Sequence, residues 1–224
     1  MFKNNKLAST FSRKISTAAR HALEDMSEGR AQQEPAITDR LIAYIQNETR
    51  NSNSSLMWSA MTLTDRGRGS QEKKYGADFV GSIEIKIKGF NVKKGFLAQA
   101  KKVEPTDSYS NAEYGKLKSQ CEDMLKLSPA SFVFIYSALD GFTVIPAISV
   151  ISARSCNPHE LTKKPIQKFF SEHFECFIGD KDISLANIAT LDELYETYKA
   201  RAGIHIVVGK DDDEPNTNEI SSNQ

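Results

Sequence analysis

The sequence predicts a mixed α/β sheet with helices packed on it. Three observations predict this class. Apolar residues recur every three or four positions in several stretches, which is the helical period. Other apolar runs, such as LMWSAMTL (56–63) and SFVFIYS (131–137), are short enough for strands. The two kinds of segment follow in the order helix, several strands, helix, strand, strand, helices, the pattern of a sheet covered by helices.

The elements follow in chain order. Leu7, Phe11, Ile15, Ala18, Ala22 and Met26 mark one face of a helix over 7–28. Lys3, Lys6, Arg13, Lys14 and Arg20, with no acid among the first 20 residues, make its outer face basic. Arg and Ser without acids also match a mitochondrial transit peptide. A helix packed on the domain is the preferred reading. Pro35 suits a first helical turn, and Ile37, Leu41, Tyr44 and Ile45 mark a helix over 35–48. NETRNSNSS (47–55) is a loop by composition.

A strand over 56–63 and the basic loop DRGRGSQEKK (65–74) come next. Residues 78–87 and 95–103 read as an antiparallel hairpin turning through KGFNVKKG. Leu117, Cys121, Met124 and Leu125 face inward from a helix over 112–127. SFVFIYS has the composition of a strand buried on both faces. GFTVIPAISVI (141–151) reads as a further strand, with Pro146 marking an edge or bend. Residues 165–177 and 187–200 read as helices, and IHIVV (204–208) as a last strand. Phe169, Phe170, Phe174 and Phe177 are assigned to the core, with a dimer face as the alternative. The domain plan is therefore an N-terminal amphipathic helix (1–30), an α/β domain (31–208) and an acidic, disordered tail (209–224).

Bulk properties narrow the function. With 224 residues, 39% hydrophobic and 26% charged, the chain has the composition of a soluble globular protein. No apolar run approaches the roughly 20 residues that cross a bilayer, so no membrane is expected. There is no secretory apolar region. The three cysteines, Cys121, Cys156 and Cys176, form no CxxC or zinc spacing. Reduced thiols suit a cytoplasmic location. Net charge is zero, yet without the tail the chain keeps 28 basic and 24 acidic residues, which admits a nucleic-acid partner. The chain lacks HExxH and GxSxG, and no GK[ST] follows GRGS (67–70), which excludes a P-loop.

One stretch carries chemistry: YGADFVGSIEIKIKGFNVKKGFLAQAKK (75–102). Side chains alternate along a strand, so Leu97, Gln99 and Lys101 share one face, and Phe96, Ala98, Ala100 and Lys102 the other. If 78–87 pairs with 95–103, Asp78 meets Gln99 and Lys101 at the end opposite the turn. A carboxylate and an amide oxygen can hold a hard cation such as Mg²⁺. An adjacent ammonium can offset charge growing on a phosphoryl oxygen. These are the parts of metal-assisted phosphodiester hydrolysis. The plain alternative is a surface Asp–Lys pair. Arg66, Arg68, Lys73 and Lys74 lead directly to Asp78 and are candidate phosphate contacts. Lys86, Lys88, Lys93 and Lys94 flank the turn and read as solubilising charge.

GAD followed twenty residues later by QAK, between a helix and a helix–strand pair, resembles the PD-(D/E)xK nuclease superfamily. The glutamine variant is found in its Mrr-like restriction branch. The resemblance covers residues 30–151 and implies a restriction-endonuclease-like mixed central sheet. It places Asp78, Gln99 and Lys101 in the three motif slots, with Glu34, in QEPAITDRLIAYI, as the upstream acid. Asp78, Gln99 and Glu34 would hold Mg²⁺, with Mn²⁺ as a substitute, and Lys101 would orient the attacking water. Gln120 and Tyr114 would lie on the following helix near the cleft. The implied substrate is DNA, with RNA ranked below it, and the implied setting is restriction or anti-phage defence. The expected partners are a second copy of the chain or a defence protein. The usual Pro before the Asp is absent, and Gln99 removes one negative charge. A catalytically silent nucleic-acid-binding or assembly subunit is therefore the alternative, and an organellar repair nuclease a further one.

Overall fold

The structure is a computed structural model that describes residues 5–50, 57–64, 77–87 and 90–209. Arg66, Arg68, Lys73, Lys74 and Lys88 lie outside the described residues, as does the tail from residue 210.

Two helices open the chain, α1 (Asn5–Ser27) and α2 (Glu34–Arg50). Strands β1 (Met57–Thr64), β2 (Ala77–Ile87) and β3 (Phe90–Lys102) follow, then α3 (Asn111–Leu127). Next come β4 (Ser131–Ser137), β5 (Gly141–Pro146), α4 (Ala147–Ser152) and the two-residue β6 (Lys164–Pro165). The last elements are α5 (Ile166–Phe174), α6 (Leu191–Tyr198) and β7 (Ala200–Gly209). The strands form one mixed sheet in the order β1-β7-β2-β3-β4-β5-β6. β2 and β3 pair antiparallel, while β2–β7 and β3–β4 are parallel. The predicted mixed α/β class is the observed one.

Strand alternation sorts the core into two layers. Phe132, Phe134 and Tyr136 of β4 join Phe79, Phe96 and Ala98 beneath α1, α2 and α5. Val133 and Ile135 join Val80 and Leu97 beneath α3, α4 and α6. All seven residues of β4 are buried, as its apolar run predicts. The predicted N-terminal helix is part of this core: Phe11, Ile15, Ala18 and Ala22 are fully buried. Phe11 reaches α5, with its ring centroid 4.8 Å from that of Phe174. The Phe96 ring lies over Gly81, its cross-strand partner, where an added Cβ would sit 2.3 Å from the ring. Phe96 also meets Phe169 edge-on at 4.9 Å. Each fully buried ring of this kind contributes about 1.5–3 kcal/mol.

Four expectations are corrected. The second hairpin strand starts at Phe90 rather than at 95, with Ile87 pairing Phe90, because the backbone of residues 91–94 still satisfies the ladder with β2. The predicted strand 141–151 stops at Pro146, which caps α4, so Ala147–Ser152 is helical. Lys94 is not a surface charge. It is 4% exposed, and its ammonium donates to the Ile178 carbonyl. Phe177 is outside the core at 74% exposure. Helix α5 ends at Phe174, and the left-handed backbone of Cys176 (φ 69°) redirects the chain. Among the described residues, no helix is long and apolar enough to cross a membrane.

Candidate active site

One end of the sheet gathers the start of β2, the finish of β3, the start of β7 and the first turn of α2. Phe79 pairs with Ala98, which sets Asp78 opposite Gln99 across the hairpin. Gln99 is 2% exposed, and its amide nitrogen donates to Asp78 Oδ2. The Ala100 N–H donates to the same oxygen at 2.7 Å. Both hydrogen bonds end on Oδ2, so neither engages Oδ1.

Glu34 opens α2, where the helix dipole favours a carboxylate. Its Oε1 accepts the Lys102 N–H at 3.0 Å, and its Oε2 faces the Lys101 ammonium at 3.4 Å. Helix and strand end are thus held together by the carboxylate that the sequence singled out. Thr38, one turn on, donates to the Glu34 carbonyl at 2.9 Å and meets the buried Tyr136 hydroxyl at 3.0 Å. The Lys102 ammonium points away, to the Gln32 carbonyl at 3.1 Å.

Electrostatics at this end are balanced by position. Burial pushes the Asp78 carboxyl above the usual aspartate range, and the Glu34 charge adds to that. The Ala100 N–H and the Lys101 and Arg201 charges oppose it. Burial and the Asp78 charge also push the Tyr136 phenol upward.

Asp78, Gln99, Lys101 and Glu34 are brought together, but the pairing differs in detail from expectation. Lys101 bonds Glu34, and Asp78 is held by the Gln99 and Ala100 donors. In this arrangement Gln99 presents nitrogen to Asp78, so it acts as a donor to the carboxylate. Tyr114 does not serve the site, because its hydroxyl donates to the Val150 carbonyl of α4 at 2.7 Å. Gln120 has a buried side-chain oxygen without a partner among the described residues. Sequence reasoning missed Arg201. This residue lies on β7 between Ala200 and Ala202, which pair with Ala77 and Phe79, and so sits level with Asp78.

Asp78 and Glu34 are the carboxylates able to hold a metal here. Among the described residues, no group of three or more His, Cys, Asp or Glu side chains is assembled for one. Mg²⁺ is commonly held by one or two carboxylates and completed by water and phosphate, and Asp78 and Glu34 are the two carboxylates this sheet end offers. No family model matches this chain, and neither a curated protein nor a solved structure matches it.

Proposed function

We propose that the chain is a metal-dependent nuclease acting on DNA phosphodiester bonds. The observation that carries the reading is the meeting of Asp78, Gln99, Lys101 and Glu34 at one sheet end, although Glu34 and Lys101 are 67 residues apart in sequence. This is the constellation that the resemblance to PD-(D/E)xK nucleases implies.

Asp78 and Glu34 would hold the divalent cation, Asp78 through the oxygen left open by Gln99 and Ala100. The cation would supply Lewis-acid polarisation of a phosphoryl oxygen and a more acidic bound water. The chain's own groups do the rest. Gln99 and the Ala100 N–H fix the Asp78 carboxylate in one orientation, as a productive site requires. Lys101, 15% exposed, keeps an ammonium where negative charge would develop on the phosphoryl group. Glu34 holds that ammonium near the end of β3.

A second reading is a silent nucleic-acid-binding or assembly subunit. It is favoured by the glutamine in an acidic slot and by the lack of a three-ligand cluster among the described residues.

Cleavage of supercoiled plasmid, linear duplex and single-stranded DNA, with Mg²⁺, Mn²⁺ or EDTA, separates the two. Metal-dependent cutting that is lost in Asp78→Ala and Lys101→Ala is the expected result. Removing either group should lower the rate by about 10²-fold or more, the scale of losing one charge-stabilising contact. A folded wild type that binds DNA and cuts nothing in any metal would overturn the nuclease reading.

A further inference from the structure

Arg201 is a buried cation that joins the two halves of the candidate site. It is 7% exposed. Its Nη1 donates to Asp39 Oδ1 at 3.0 Å, and its Nη2 to the Pro35 carbonyl at 3.4 Å. Both acceptors lie in the first turns of α2, directly after Glu34. Its backbone belongs to β7, level with Asp78. One guanidinium therefore spans from the strand beside Asp78 to the helix that presents Glu34.

The chemistry of the fork matters. A guanidinium offers fixed, planar donors, so it can serve a carboxylate and a carbonyl at once, whereas an ammonium is a point charge on a flexible stem. The Nε–H is buried and has no partner among the described residues. The two Nη groups make the contacts, and both go to α2. Glu34 itself is a third exposed and, among the described residues, is gripped at the strand end by Lys101 and the Lys102 N–H. Its backbone belongs to the first turn of α2.

We propose that Arg201 is a positioning residue that fixes the Glu34 turn of α2 relative to Asp78. The proposal rests on the reading of Asp78 and Glu34 as one site. Its geometric part can be tested without activity.

The test uses the full chain with Arg201→Lys, Arg201→Gln and Asp39→Asn, and the double variant Arg201→Gln/Asp39→Asn. Amide hydrogen exchange is followed at Lys102, whose N–H is held by Glu34, and at Phe169 in α5, a remote control. Arg201→Gln and Asp39→Asn are each expected to speed Lys102 exchange by about tenfold, within the coupling range for neighbouring groups. Phe169 should stay within about twofold. The double variant should be no worse than either single one, and Arg201→Lys should fall with the losses because it lacks the fork. On duplex DNA, kcat should drop while KM holds.

Lys102 exchange unchanged in folded Arg201→Gln and Asp39→Asn overturns the proposal. Equal acceleration at Lys102 and Phe169 also overturns it, since that marks general destabilisation. If wild type cuts no DNA yet Lys102 responds as described, the nuclease reading fails and the positioning role stands.

Discussion

His173 should make this fold acid-sensitive in a way that one substitution removes. The imidazole is fully buried between Phe96, 5.1 Å away edge-on, and Phe169, 6.3 Å away and stacked. Its Nδ1 meets the Ile178 carbonyl at 3.3 Å, and its Nε2 has no partner among the described residues. Burial, with the Lys94 charge nearby, pushes its pKa down from 6.5 to about 3. The folded state therefore holds His173 neutral while the unfolded chain takes up a proton below about pH 6.5. Stability from this group is complete above 6.5, falls as pH drops, and levels off below about 3. At about pH 4.5 the unfolded chain gains two pH units' worth of protonation, which costs the fold about 2–3 kcal/mol.

Other carboxylates add their own acid sensitivity, so the variant supplies the reference. His173→Asn keeps a donor near the Nδ1 position and cannot titrate. Its cavity lowers stability at every pH and cancels in the comparison. Urea unfolding at pH 7 and about pH 4.5 should show wild type losing about 2–3 kcal/mol more than the variant. Equal losses in the two proteins would refute the reasoning that burial keeps this imidazole uncharged.

Two further substitutions probe the site and the sheet. Gln99→Glu replaces a donor to Asp78 by a second carboxylate, which should lower stability by about 1–3 kcal/mol without divalent metal. Added Mg²⁺ should then raise the variant's Tm more than the wild type's, and an equal Mg²⁺ response in both would count against a cation beside Asp78. Gly81→Ala drives a methyl into the Phe96 ring and should cost about 1–3 kcal/mol by overpacking. Shortening the ring with Phe96→Leu in the same chain should recover part of that loss in thermal unfolding. An unchanged Tm in Gly81→Ala alone would show that the ring is free to move.

Local patterns made the hairpin legible in sequence. Alternation along FLAQAKK separates Gln99 from its neighbours, and antiparallel pairing brings Asp78 to it. Glu34 was legible through the resemblance, as the acid on the helix that precedes the sheet, and it does open α2. The partner of Lys101 was not, since it depends on how α2 docks over the sheet. Arg201 escaped because 187–200 read as a helix and the strand as starting at 204, which left it between elements. The small–large–small run Ala200-Arg201-Ala202 is the signal that extends the strand back over it. Four lysines around a turn read as solvated charge, and only the path of 175–182 across the sheet reveals that Lys94 is covered. Phe177 shares the spacing of its neighbours but lies past the end of α5.

The place of β7 has a kinetic consequence. This strand follows every other strand in the chain, yet it inserts between β1 and β2. During synthesis β1 and β2 must wait with facing edges unpaired for most of the chain's length. Such non-local pairing slows folding and leaves open edges for other chains to add to. The same delay governs the candidate site, because Arg201 emerges after Glu34, Asp78 and Lys101. A nascent chain on the ribosome holds a sheet end that is still loose, and full geometry arrives only when β7 zips into the gap.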